Sequence, residues 1–62
     1  MESLLRLPDV ERRTGLKRSA IYLRMATGEF PKPIRLTEKA VAWPESEVDH
    51  WIHKKIAQGR AA

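Results

Sequence analysis

Two prolines separated by a single lysine, Pro31 and Pro33, divide this chain into parts that must fold differently. Neither can donate a backbone amide, and each pushes the residue before it, Phe30 or Lys32, towards extended geometry. No helix can pass through them. Upstream, Leu7-Pro8-Asp9-Val10-Glu11-Arg12-Arg13-Thr14 reads as a helix: proline suits its first turn, Asp9 complements its positive start, and two arginines complement its end. Gly15 stops it, and Leu16 bridges to a second helix over about 18–27, where Ile21 and Met25 share one face and Gly28 terminates.

Two short helices joined by Thr14-Gly15-Leu16-Lys17 make a helix-turn-helix. Downstream of the prolines, Ile34-Arg35-Leu36 and Val41-Ala42-Trp43 flank Thr37-Glu38-Lys39-Ala40, the pattern of a two-stranded hairpin, or wing, over about 33–43. Alternation predicts that Ile34, Leu36, Val41 and Trp43 share an inner face. A third helix is expected from Pro44, with Glu45, Glu47 and Asp49 near its start, Lys54 and Lys55 near its end, and Val48, Trp51, Ile52 and Ile56 as its apolar stripe. A lone hairpin is marginal, so this helix must cover it. The reading is one mostly helical α+β domain over 1–62, in the order α-α-β-β-α, with 59–62 expected to fray.

At 62 residues and without cysteine, the core must come from aliphatic and aromatic side chains alone. There is no room for an enzyme cleft with its own lid. No apolar run approaches the roughly 20 residues of a membrane span, and Met1-Glu2-Ser3 does not begin a basic, apolar signal sequence. A soluble cytoplasmic protein is expected. The net charge of +4 lies wholly within 17–39, where Lys17, Arg18, Arg24, Lys32, Arg35 and Lys39 face only Glu29 and Glu38; the two flanks are each neutral. Excess positive charge on one helix and the adjoining hairpin is the pattern of a surface that meets a polyanion. Double-stranded DNA is the expected partner.

On the second helix, a residue two positions from the inward Ile21 is turned by about 200°, which points Ser19 and Leu23 outwards with Arg18 and Tyr22 beside them. These are base-reading candidates: Arg18 by two hydrogen bonds to guanine, Ser19 as donor and acceptor, Leu23 against a thymine methyl. Tyr22 can bond a phosphate or simply roof the core. Lys32, Arg35 and Lys39 are spaced like phosphate or minor-groove contacts, although charge also protects an edge strand, and Glu38 at the tip argues against deep insertion. His50 and His53, three apart on the third helix, lack a third ligand and read as a solvated face. No cofactor or metal is expected. The acidic groups of that helix are explained by its dipole, and no activated nucleophile accompanies them, so no enzyme is expected. A second reading is a protein-interaction module that uses the mixed-charge outer face of helix 44–58.

R-L-P-D-V-E-R-R-T-G-L at 6–16, R-S-A-I-Y at 18–22, G-E-F-P-K-P-I-R-L at 28–36 and V-A-W-P-E-S-E-V-D-H-W at 41–51 together cover nearly the whole chain. In these segments the sequence resembles the AlpA-like prophage regulators, a branch of the small winged-helix group that includes phage excisionases and MerR-type DNA-binding heads. The resemblance implies that the second helix enters the major groove and that the wing reaches adjacent backbone or minor groove. It maps DNA-contact roles onto Arg18, Ser19, Tyr22, Arg35 and Lys39. Lys17 departs from the pattern, since typical members carry a serine there that caps the second helix. Lysine cannot accept that bond, which puts the first turn in question and makes Lys17 a candidate phosphate contact. The family holds both transcriptional activators and excisionases, which bend attachment-site DNA so that an integrase runs in the excisive direction. A domain this small is expected to be a monomer in solution, to use repeated sites and cooperative neighbours on bacterial nucleoid DNA, and to have an integrase or regulator as its protein partner.

Overall fold

The computed structural model describes residues 2–60. Its elements are β1 (Leu4–Leu5), α1 (Leu7–Thr14), α2 (Arg18–Ala26), β2 (Ile34–Thr37), β3 (Ala40–Pro44) and α3 (Glu45–Arg60). The order α-α-β-β-α is therefore present in a small, mostly helical α+β fold, preceded by one short strand. Gly15 and Gly28 take the left-handed backbone that ends a helix, with φ of 76° and 81°. Thr14 ties the turn between α1 and α2: its hydroxyl donates to the Val10 carbonyl (2.8 Å) and accepts from the Leu16 amide (3.2 Å).

The hairpin is part of a three-stranded antiparallel sheet in the order β1-β3-β2, not a two-stranded ribbon. β1 pairs Leu4 with Pro44 and Leu5 with Trp43, while β2 pairs Ile34 with Ala42, Arg35 with Val41 and Thr37 with Ala40. The last two pairs leave Leu36 as an extra residue in β2, a bulge. This corrects the expected inner face. Directly opposed residues share a face, so Ile34 lies with Ala42 and Pro44, and Arg35 lies with Val41 and Trp43. Ile34 (43 % exposed) and Leu36 (44 %) face solvent, and the buried positions of the hairpin are Ala42 and Trp43. The Glu38-Lys39 turn has no positive φ, so it is not one of the primed turns that match strand twist, and the bulge accommodates the mismatch.

The core draws on every layer: Leu5 from β1, Val10 from α1, Ile21 from α2, Trp43 from β3, Val48 from α3, and Phe30 from the segment before Pro31. Leu7, Leu16, Met25, Val41, Trp51 and Ile52 pack around it. The Trp43 indole N–H donates to the Pro31 carbonyl at 2.9 Å, which fastens the proline segment to the central strand. Phe30 meets Trp51 edge-on at 5.0 Å. The expected stripe on α3 holds for Val48, Trp51 and Ile52, but Ile56 is exposed because a 16-residue helix, about 24 Å long, runs past the body that it covers.

Two further boundaries differ from expectation. Pro44 closes β3 instead of opening α3, because it pairs with Leu4 and the next amide, that of Glu45, donates to the Ser3 carbonyl (2.8 Å). Gly59 and Arg60 continue α3, so Lys54 and Lys55 sit mid-helix and Arg60 occupies the last turn; Ala61 and Ala62, placed in the fraying tail by sequence, lie outside the described residues.

Side chains tie the layers at the surface. Arg13 of α1 reaches both Glu45 (2.8 Å) and Asp49 (3.5 Å) of α3, and Lys55 pairs with Glu29. Glu2 caps α3 from the far end of the sequence, accepting from the Ser46 hydroxyl (2.6 Å) and amide (3.1 Å). These two bonds, the hydroxyl's first, hold the Glu2 carboxyl below the usual carboxylate range. A carboxyl with a lower pKa folded than unfolded stabilises the fold above its unfolded pKa and loses that contribution as pH falls through the folded one. Glu2→Gln is therefore expected to lower Tm at neutral pH, with the gap from wild type closing on acidification from pH ~5 to ~3. Melting curves across that range check it, and a gap that does not change with pH contradicts it.

Candidate nucleic-acid interface

At about 100° per residue, α2 divides into flanks whose contacts identify them. Ile21 is buried and Met25 packs on the core. Ser19, Leu23 and Ala26, at i, i+4 and i+7, form the outermost strip and are all exposed. Leu23 is 64 % exposed, more than any other large apolar side chain among the described residues. Arg18 and Tyr22 lean towards the sheet, and Arg24, two positions from Tyr22 and so turned about 200° away, lies on the opposite flank, half-buried. Ala26 is the position that sequence reasoning passed over. The signal was the i+7 spacing from Ser19, and a methyl there lets another surface approach closely.

The sheet side of α2 is built on aromatic contacts. The Tyr22 ring meets the buried Trp43 edge-on, with centroids 6.5 Å apart and planes at 73°. The Arg18 guanidinium lies over the Tyr22 ring, 5.3 Å from its centroid. Through the strand register, Arg35 projects from the same sheet face as Trp43, so the wing arginine and the Arg18–Tyr22 pair belong to one side of the sheet. Lys39 lies in the two-residue turn at the hairpin tip, where its amide donates to the Thr37 hydroxyl (3.2 Å), and Lys32 lies in the extended approach to β2.

Lys17 occupies the N-cap of α2 with extended backbone (φ −88°, ψ 166°) and no capping side-chain bond. The helix closes its first turn regardless, the Ile21 amide donating to the Lys17 carbonyl at 3.0 Å. Because an α-helix leaves its first amides unpaired, this end has open donors beside two cations, an arrangement that can receive a phosphate oxygen.

Lys17, Arg18, Lys32, Arg35 and Lys39 are all exposed, and none enters an ion pair among the described residues. Of the other cations, Arg12 pairs with Asp9, Arg13 with Glu45 and Asp49, and Lys55 with Glu29, whereas Arg6, Arg24, Lys54 and Arg60 enter no ion pair among the described residues. The pair of Lys55 with Glu29 matters twice, since Glu29 is one of only two acidic residues in the basic segment and its charge is met by α3; Lys55, by hydrogen bond and by charge, lowers its pKa. The positive field over α2 and the wing thus keeps only Glu38 against it. On α3, the mixed-charge face read as a docking surface is in part a set of ties to α1 and to the Gly28–Phe30 bend.

Residues 3–56 match the family described as prophage CP4-57 regulatory protein (AlpA). The chain is 46 % identical over 56 residues, 90 % of its length, to ORF88, an uncharacterised protein of Enterobacteria phage P4, and spans 64 % of that protein. It is 36 % identical over 58 residues to the DNA-binding transcriptional activator AlpA of Escherichia coli (strain K12), covering 84 % of this chain and 83 % of the relative. The matched segment runs from the residue before β1 to Ile56 of α3, taking in both flanks of α2 and the whole wing. With the family match spanning all the elements that build this surface, the chain belongs to the AlpA family of prophage regulatory proteins.

Proposed function

We propose that this chain is a sequence-specific, double-stranded DNA-binding regulator of a prophage or related mobile element. The observation that carries the reading is that Lys17, Arg18, Lys32, Arg35 and Lys39, at the start of α2, before β2 and on the wing, are exposed and enter no ion pair among the described residues, while Ser19 and Leu23 face outwards on the helix that carries Arg18. In this reading α2 enters the major groove, with Arg18 on guanine, Ser19 on a neighbouring base edge and Leu23 against a thymine methyl. Lys17, Lys32, Arg35 and Lys39 contact phosphates or the minor groove edge. The AlpA relative named as a DNA-binding activator supports this direction.

Each phosphate neutralised contributes about −0.9 to the slope of log affinity against log salt, so a handful of contacts gives a slope of roughly −3 to −6. Fluorescence anisotropy with a labelled duplex over a series of salt concentrations measures it, and a slope shallower than about −1 contradicts a backbone-tracking mode. Sequencing genomic fragments retained by the protein at moderate salt then separates two regulatory modes. Repeated sites flanking an integrated element identify an excisionase that cooperates with an integrase; sites at promoters alone identify a transcriptional activator. The same neighbours on repeated sites supply, through effective concentration, the affinity that one small domain lacks.

A further inference from the structure

We propose that Tyr22 acts as a positioning residue, its ring holding the Arg18 guanidinium at the edge of α2 while buried Trp43 braces the ring from behind. The inference rests on the reading that Arg18 contacts a base. Its support is a chain of contacts: the Arg18 guanidinium over the Tyr22 ring at 5.3 Å, the ring edge-on to Trp43 at 6.5 Å, and the Trp43 indole N–H bonded to the Pro31 carbonyl at 2.9 Å. Trp43 is fully buried and anchors the central strand, so the inner end of these contacts does not move with the helix surface.

Arginine is long, and an arginine free in solvent samples many rotamers that a bidentate base contact must freeze out. Among the described residues no carboxylate pairs with Arg18, so the aromatic face is what restricts it. A guanidinium held against a ring keeps its in-plane N–H donors free at the edge, where a guanine presents its two acceptors. The Tyr22 hydroxyl makes no hydrogen bond among the described residues, so within the protein the ring alone acts on Arg18, and Tyr22→Phe separates that action from a phosphate contact through the hydroxyl.

Two measurements test this, one without DNA. In the free protein, the ring current of Tyr22 is expected to shift the Arg18 δ-methylene protons upfield in the NMR spectrum. Tyr22→Phe should retain that shift and Tyr22→Leu should lose it. On duplexes selected by the wild-type protein from a random pool, Tyr22→Phe should keep base preference within about twofold of wild type. Tyr22→Leu should reduce discrimination by about two- to fivefold, the free-energy range of an exposed cation–π contact. That loss should fall at the base pair affected by Arg18→Ala, and Tyr22→Leu should add nothing there in the Arg18→Ala background. Unshifted δ protons in the wild type overturn the proposal whether or not any variant folds. Equal weakening of all duplexes by Tyr22→Leu, or equal damage from Tyr22→Phe and Tyr22→Leu, also overturns it. If Arg18→Ala leaves base preference intact, both the proposal and the base-reading assignment fall; if Arg18→Ala relaxes preference and Tyr22→Leu does not, the proposal alone falls.

Discussion

Replacing Trp43 by alanine is expected to leave much of the protein unfolded at room temperature. Removing a buried tryptophan costs about 3–5 kcal/mol, whereas a 62-residue domain has a total stability of roughly 3–9 kcal/mol. Trp43 is fully exposed to this cost because it sits at zero solvent exposure on the central strand, opposite Leu5 and among Val10, Ile21, Phe30 and Val48. The change also strips the Pro31 carbonyl of its indole partner and removes the surface against which Tyr22 rests. Urea denaturation followed by circular dichroism measures the loss. Ile34→Ala and Leu36→Ala are the controls, since both side chains face solvent and changes there are usually within about 0.5 kcal/mol. A cooperative Trp43→Ala transition with under about 1 kcal/mol lost would contradict the core described above.

Arg18→Ala and Arg35→Ala are expected to weaken DNA binding in different ways. A good bidentate base contact is worth about 1–3 kcal/mol of discrimination, or roughly five- to 150-fold. Arg18→Ala should lose that margin at one base pair, leaving the affinity for mismatched duplexes closer to wild type. Arg35, on the wing and in no ion pair among the described residues, should act on every sequence alike, and its replacement should make the salt slope shallower by about one unit. Competition binding against a panel of single-base variants, repeated at two salt concentrations, separates these effects. Equal, sequence-independent losses from both would refute the division between helix and wing.

The residues that punctuate the chain carried the plan of the fold. Gly15, Gly28 and the Pro31–Pro33 pair constrain the local backbone directly, so both helices of the helix-turn-helix and the change to strand were legible where they occur. Longer-range pairing was not. β1 consists of Leu4 and Leu5, too short to show a period, and its existence depends on Pro44 and Trp43 at the other end of the sheet. The bulge at Leu36 defeated the alternation argument, because one extra residue moves side chains to the other face. Phe30 read as the start of an extended connection, yet the Arg24 carbonyl takes both the Glu29 and Phe30 amides and folds that segment back so that the ring enters the core.

The outward strip of α2 was legible for the same reason as the helices: once Ile21 is inside, helical geometry places Ser19 and Leu23 outside. What composition could not supply was the state of each charge. Arg13 and Lys55 look, in sequence, as available as Arg35, and only the fold brings Glu45, Asp49 and Glu29 to them. Nor could sequence order show that Arg18 lies on Tyr22 and Tyr22 meets Trp43 edge-on, since the contact between helix and sheet joins residues on either side of the prolines.

The claim that α2 and the wing form one DNA-contacting surface is tested most directly by titrating the isotopically labelled protein with a duplex that it has selected and mapping amide shift changes by NMR. The account predicts the largest changes at 17–26 and at 32–41, with the Arg18 and Arg35 side-chain N–H signals among them and the C-terminal half of α3 little affected. Changes centred on α3, or no saturable change at moderate salt, would contradict it.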